Sequence, residues 1–450
     1  MLNEHIKERC KDLSIIILFS VLIRFITMFY SLNKNYWFLD GSSPYFLLAD
    51  SWYYFSLLKD YMPNILIYFF MSIFSIGGLL IFYTLLRNKG IKRGIAVLST
   101  SLLSLFPYFY NQTSFGYVDT NHLIFFCMVA SYYLWDKMVY SIFKLNKKYF
   151  MYMGLFILNV IFFKFVWSGS GLFFMLFFYT VFGEFLLIMI DKYNKNKIFK
   201  SIALFILIAI PILVMFNINN LFAYKVLNVA EYRFPDFVLY HFLAFFLFFM
   251  MFKERDYNKY NIGLIVTYLI SLLFLRVTLF SGFFAFIGLA KYMNLNKKLT
   301  KIVVILSVVV LVIMCGLFSP IHPMYDRDSE RAINSIPINS SVINLWDNGH
   351  FINVMSNTYT PYRAFPTTQG VTGLKNGLFL SEDQGVSYLD DLSENETYYI
   401  FLMDADFIKL NNGLCSDNSL CYKIENNIKL KYYNLTTYGS TYILKRNEEN

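Results

Sequence analysis

Apolar runs of membrane length recur along most of the chain, and every second gap between them is basic. A helix crossing a bilayer needs about 20 largely apolar residues, because backbone groups in hydrocarbon must bond within their own segment. By that measure the sequence predicts helices near 13–31, 63–86, 94–110, 122–143, 149–167, 171–190, 201–217, 237–252, 261–276, 278–291 and 301–318. The tenth of these is the shortest. The basic gaps are RNKGIKR (87–93), KLNKK (144–148), DKYNKNKIFK (191–200), KERDYNK (253–259) and NLNKKLTK (294–301). Such alternation is the mark of positive-inside sorting. It predicts a cytoplasmic N-terminus, with Lys7, Arg9 and Lys11, and places everything after 318 outside.

Composition agrees. Charged residues make up 15% of the chain, against about 25% in soluble domains. The net charge of +9 sits in short loops rather than in one patch, which excludes nucleic acid as the partner. The first apolar run follows a mixed-charge start, MLNEHIKERCKDL, and lacks a small-residue cleavage site, so it reads as a retained anchor. Cys415 and Cys421 lie in the polar tail and pair if that tail faces an oxidising space. The tail, 319–450, alternates short apolar runs such as YYIFLMDA with polar turns, as a small α/β domain does. The expected organisation is therefore a multi-pass membrane domain over 1–318 and an extracytoplasmic domain over 319–450.

The outer gaps are poor in Lys and Arg and hold acids beside aromatics. Asp50 lies in DSWYYFSLLKD, Asp119 in GYVDTNHLIFF with Asn121 and His122, and Glu231 in NVAEYRFPDF. Carboxylate and amide oxygens on one leaflet suit a hard divalent cation, Mg²⁺ or Mn²⁺, although most loop acids are simply solvated. Arg276 ends the apolar run LISLLFLR near the same face, where an arginine needs an anionic partner or an escape to the interface. In the tail, LWDNGHFI (345–352) places Trp346, Asp347 and His350 together. Taken alone, Trp346 fills a core and Asp347 with Gly349 makes a turn.

These stretches jointly resemble the catalytic subunit of the oligosaccharyltransferase family. LWDNGHFI is similar to its WWDYG signature, and the following His to the archaeal branch. DSWYYFSLLKD resembles the first-loop motif, GYVDTNHLIFF the second acidic motif, NVAEYRFPDF the fifth-loop TIAE element, and FLRVTLFSG the helix whose arginine grips the lipid pyrophosphate. All five occur in family order across the chain. The resemblance implies a GT-C type glycosyltransferase fold of about 11–13 transmembrane helices followed by a small extracytoplasmic α/β domain. It implies a single-subunit enzyme that moves a glycan from a lipid-linked polyprenyl or dolichyl donor to Asn of Asn-X-Ser/Thr in secreted or membrane polypeptides, with Mn²⁺ or Mg²⁺ and inversion at the sugar. Asp50 and Glu231 would be catalytic. Asp50, Asp119, Asn121 and Glu231 would hold the metal, Arg276, His122 and His350 the donor, and Trp346 with Asp347 the acceptor hydroxyl.

This chain also departs from the family pattern. Leu345 and Asn348 stand where the signature has aromatics, Asn121 where Asp, Glu or His is usual, and Gln112 where some bacterial members carry arginine. A second tail element of the DxxK type is matched by DFIK, Asp406 to Lys409. Two rival readings remain open here. A protein O-mannosyltransferase-like enzyme shares the helical body and the acidic first loop, and a lipid-linked sugar transporter shares the membrane body. Asn-X-Ser/Thr triplets begin at Asn111, Asn339, Asn395 and Asn434, all on the predicted outer side.

Overall fold

The computed structural model describes residues 2–32, 61, 64–106, 109, 121–166, 170–193, 247, 258–271, 278–295, 298, 302, 327–345, 348, 351–352, 368–393, 397–411 and 415–447. The chain divides into two compact units. One is drawn from Met1–Tyr30, Phe70–Phe115 and Thr120–Pro320, the other from Ser31–Phe69, Gly116–Asp119 and Ile321–Asn450.

The described part of the first unit is helical, and its helices are α1 (Leu2–Leu32) and α2 (Asn64–Asn88), whose residues 31–32 and 64–69 count with the second unit, then α3 (Arg93–Ser104), α4 (Asn121–Phe143), α5 (Lys148–Val166), α6 (Ser170–Tyr193), α7 (Lys259–Ser271) and α8 (Thr278–Leu295). Each falls on a predicted span. The runs at 201–217, 237–252 and 301–318 lie, apart from Leu247 and Ile302, outside the described residues. Among the described residues, Phe69–Asn88, Lys148–Val166 and Phe173–Ile190 are long and apolar enough to cross a membrane. On α5 only Phe156 and Phe163 are buried, two turns apart on one stripe, while Phe150, Met151, Leu158, Phe162 and Phe165 are exposed. An apolar surface of that extent suits hydrocarbon and would aggregate in water.

Helix ends differ from the hydropathy boundaries for local reasons. α1 starts at Leu2 because nothing in its charged start breaks a helix. Those charges are used: Arg93 bonds Glu8 and Asp12, each at 2.8 Å, and Tyr83 Oη donates to Asp12 at 2.6 Å, tying α1 to α2 and α3. α3 stops at Ser104 instead of continuing to 110, because Pro107 disfavours helical backbone before it and supplies no N–H.

Aromatic packing fills the middle of this unit. Tyr132 of α4 meets the rings of Phe173, Phe177, Tyr260, Phe283 and Phe284. Its hydroxyl is 2.9 Å from Thr180 Oγ1, which satisfies the one polar atom that burial would otherwise strand. Gly263 lets α7 approach α8, since a Cβ there would lie 2.5 Å from the Phe284 ring.

Hydropathy did not reveal one ionic cluster in this unit. Lys259 Nζ lies 2.5 Å from Asp136 and 3.5 Å from Glu184. Lys89 Nζ is 2.8 Å from Asp136, and Tyr260 Oη donates to the same carboxylate at 2.6 Å. Asp136 and Glu184 are thus engaged with cations from other helices, the usual state of acids inside an apolar bundle.

The second unit holds, among its described residues, α9 (Arg327–Asn334), β1 (Ser341–Asn344), α10 (Thr368–Phe379), α11 (Glu382–Leu392), β2 (Tyr398–Met403), α12 (Asp404–Asn411), α13 (Leu420–Glu425), β3 (Tyr433–Tyr438) and β4 (Thr441–Arg446). The four strands form one sheet in the order β1-β2-β4-β3. β1 pairs parallel to β2 with Ser341 opposite Tyr398, and a parallel pair needs a crossover, which α10 and α11 supply. β2 is central and its YYIFLM is buried at all but one position, whereas edge strand β3 is mostly open. β3 and β4 meet in a two-residue turn, with Gly439 at φ 55°, the positive φ such hairpins require. Leu374, Leu378 and Leu389 pack with Ile343, Ile400, Leu402 and Leu444 into the core.

Candidate functional site

Of the candidate site residues singled out from sequence, Asn121 and His122 are described, as are Leu345, Asn348 and Asp406 of the two tail motifs. Asp50, Asp119, Glu231, Arg276, Trp346, Asp347 and His350 lie outside the described residues.

Asn121 and His122 open α4, and both are buried. His122 belongs to a polar cluster that the sequence reading missed. Its Nδ1 lies 3.2 Å from Ser75 Oγ. Ser75 donates to Ser72 O at 2.9 Å and accepts from Arg24 Nη2 at 3.0 Å. With the Ser75 proton engaged and one lone pair filled, the remaining lone pair assigns the ring hydrogen to Nδ1 of His122. Arg24 Nη1 also donates to Ser20 O at 3.1 Å, and its guanidinium lies 5.7 Å from the Phe109 ring centroid. The signal was present in the sequence as a single arginine inside the apolar run LFSVLIRFITMFY. Intramembrane arginines mark functional or tightly paired positions by default. Here Arg24 ties α1 to α2 and, through Ser75, to the start of α4.

The tail brings together two elements that sequence had placed far apart. Asn348 Nδ2 donates to Asp406 Oδ2 at 2.8 Å, and the same oxygen accepts from Met403 N at 3.0 Å. Both side chains are fully buried. Asn348 N bonds Leu345 O at 2.9 Å, and Asn344 Nδ2 bonds Leu345 O at 2.6 Å. Leu345, Phe351 and Ile352 are buried, and the Phe351 ring sits 6.2 Å from that of Phe401 on β2. The LWDN stretch is therefore anchored at both ends, and its Asn348 is bound to the first residue of the DFIK element on α12. Asn348 fills the signature's aromatic position with an amide donor matched to a buried carboxyl oxygen.

Asn121, whose amide is a neutral oxygen donor of the kind hard cations take, is the one described member of the metal set read from sequence. Among the described residues, one group of three metal-ligating side chains gathers, Cys415, Cys421 and Glu425. Its two cysteines form a disulfide with each other, so their thiolates are not available as ligands.

No protein-family model matches this chain, and no curated protein matches it in sequence. Solved structures match it in fold. The Archaeoglobus fulgidus oligosaccharyltransferase tethered to an acceptor peptide containing the NVT sequon superposes with a TM-score of 0.55 at 11% identity, covering 96% of this chain and 74% of that one. The same organism's oligosaccharyltransferase AglB in complex with an inhibitory peptide and a dolichol-phosphate gives 0.51 at 11%, covering 97% and 70%. Its complex with Zn and sulfate gives 0.52 at 12%, covering 92% and 71%. The chain shares the fold of these proteins, a helical membrane body followed by an α/β domain.

Proposed function

We propose that this chain is an oligosaccharyltransferase, transferring a glycan from a lipid-linked phosphate or pyrophosphate to the side-chain nitrogen of Asn in Asn-X-Ser/Thr. The observation that carries the reading is the coincidence of five motifs in family order with a fold match over 96% of the chain. The dolichol-phosphate and the sequon peptide of the matched structures favour a lipid-linked donor and a peptide acceptor here as well.

The chemistry distributes over named residues. The acceptor amide is a poor nucleophile because its nitrogen lone pair is delocalised into the carbonyl. Asp50 and Glu231 accept hydrogen bonds from its two N–H groups and turn the nitrogen out of conjugation. That nitrogen bonds the anomeric carbon from the face opposite the leaving phosphate, whose oxygen keeps the electron pair of the broken C–O bond, the nitrogen gives up one proton to solvent, and the configuration inverts. Arg276 stabilises charge growing on the departing phosphate, with His122 and His350 on the donor side. Asp50, Asp119, Asn121 and Glu231 would hold a divalent cation, Mn²⁺ or Mg²⁺, which when bound neutralises phosphate charge. Asp347 accepts the hydroxyl two residues beyond the acceptor Asn, and Trp346 walls its β-carbon. A site built to bond a hydroxyl rejects peptides lacking it, because its own polar groups then stay unpaired.

In this reading 1–318 is the catalytic membrane domain and 319–450 the acceptor-recognition domain. The protein is multi-pass in the cell membrane, with a cytoplasmic N-terminus and an outer tail, and acts as a single subunit. The alternating basic loops support that orientation, as does a disulfide in the tail. The paired state of Asp136 and Glu184 argues against a transport pathway through them.

The test is transfer by the purified protein. With a lipid-linked oligosaccharide extract and a fluorescent sequon peptide, we expect a glycopeptide that disappears with chelator and with Asp50→Ala. A peptide with Ser but no Asn should stay unmodified. Transfer to that Ser peptide would favour the O-mannosyltransferase-like reading. Lipid translocation without transfer would favour the transporter.

A further inference from the structure

Two of the chain's own sequons lie among the described residues, and the fold treats them differently. Asn434-Leu435-Thr436 occupies edge strand β3, hydrogen-bonded to β4 on one side, with Asn434 opposite Lys445 and Thr436 opposite Ile443. Side chains two apart in a strand share one face, about 7 Å from each other. Asn434 and Thr436 are both exposed on that face. Asn339-Ser340-Ser341 is arranged the other way. Asn339 is exposed in a turn with φ 66°, the left-handed region. Ser341 starts β1 and is 1% exposed. A transferase that reads the hydroxyl two residues past the amide needs both groups within reach together. In the folded tail β3 offers this and the turn does not.

We propose that Asn434 is a modification site that accepts an N-linked glycan in the folded tail, whereas Asn339 accepts one only before β1 is formed. The inference rests on the reading above for the tail's outer placement and for the donor. The step joins Asn434 Nδ2 to the anomeric carbon of a lipid-linked glycan. The bond from that carbon to the phosphate oxygen breaks with its electrons, and the amide nitrogen gives up one proton to solvent. A consequence follows for the sheet. Among the described residues β3 is the last strand of the sheet and pairs with β4 alone, and an edge strand invites pairing with another chain. A bulky solvated glycan on Asn434 blocks such pairing, as lysine or proline does on other edges.

Two measurements decide this. Site occupancy on protein purified from its native host, read by mass spectrometry of tryptic peptides, is expected to be high at Asn434 and lost in Thr436→Ala. A bare Asn434 in the native protein overturns the proposal. In the second measurement, purified Thr436→Ala and Ser341→Ala proteins, the wild-type chain, and free peptides spanning each sequon are incubated with lipid-linked oligosaccharide. Modification of both free peptides is expected, and of the folded chain at Asn434 but not at Asn339. Modification of folded Asn339 with Asn434 bare overturns the assignment. If no free peptide is modified, the transferase reading fails, while native-host occupancy still decides Asn434.

Discussion

Replacing Asp136 by alanine isolates what the ionic cluster of the helical unit contributes. Its carboxylate receives Lys259 Nζ at 2.5 Å, Tyr260 Oη at 2.6 Å and Lys89 Nζ at 2.8 Å. The Lys259 side chain is 7% exposed and the Lys89 side chain 38%. The Lys89 pair is open enough to contribute at most about 1 kcal/mol. The Lys259 pair is different, because truncating one partner of a buried pair strands the other charge, at roughly 3–5 kcal/mol. Glu184 at 3.5 Å offers the ammonium a second, poorer partner, which moves the expectation to the low end, about 3 kcal/mol. That is roughly a hundredfold in the unfolding equilibrium. Adding Lys259→Met removes the stranded charge and is expected to recover about half of the loss. The remainder is the buried Tyr260 hydroxyl left without this acceptor. Equilibrium unfolding in mixed micelles, followed by tryptophan fluorescence, measures both variants. A single variant within about 0.5 kcal/mol of wild type, or a double variant no better than the single, would show that the cluster does not hold the helices together.

Other expectations concern the tail. Asp406→Ala removes the acceptor of Asn348 and should raise KM for a sequon peptide about tenfold, the scale of one buried hydrogen bond, with kcat little changed. Asp406→Asn keeps an oxygen acceptor and should restore most of it, which a purely destabilising effect would not. Buried Glu382 accepts from Lys423 Nζ at 2.7 Å, Lys431 N at 2.6 Å and Tyr432 N at 2.9 Å. Glu382→Ala strands two backbone N–H groups, so thermal unfolding should report a loss of about 3 kcal/mol, with Glu382→Gln milder. Asp383 is held below the ordinary carboxylate range by hydrogen bonds from Lys431 and Tyr432. A lowered folded pKa contributes stability above the ordinary value that is lost as pH falls through the folded one. Hydrogen exchange in the β3–β4 hairpin should therefore quicken on acidification below about pH 4, and Asp383→Asn should flatten that limb.

Local chemistry made the helices legible. Each membrane-length run satisfies its own backbone, so hydropathy alone locates α1 to α8, and Pro107 explains why α3 is shorter than its apolar run. The partnerships of charges were not legible, because they join residues remote in sequence. Asp136 and Lys259 come from α4 and α7, Arg24 and Ser75 from α1 and α2, and no periodicity records which helix faces meet. Strand order was hidden for the same reason: β1 lies beside β2 only because α10 and α11 carry the chain back. Asn348 looked like a departure from the signature. Its meaning emerged only once Asp406 stood beside it.

The central claim is that three outer acids share one cation. An experimental structure of the purified protein soaked with Mn²⁺, with anomalous differences collected at the manganese edge, tests it directly. We expect a single strong peak bonded by Asp50, Asp119 and Glu231 together. Carboxylates tens of ångströms apart, or a peak bound elsewhere, would contradict the account.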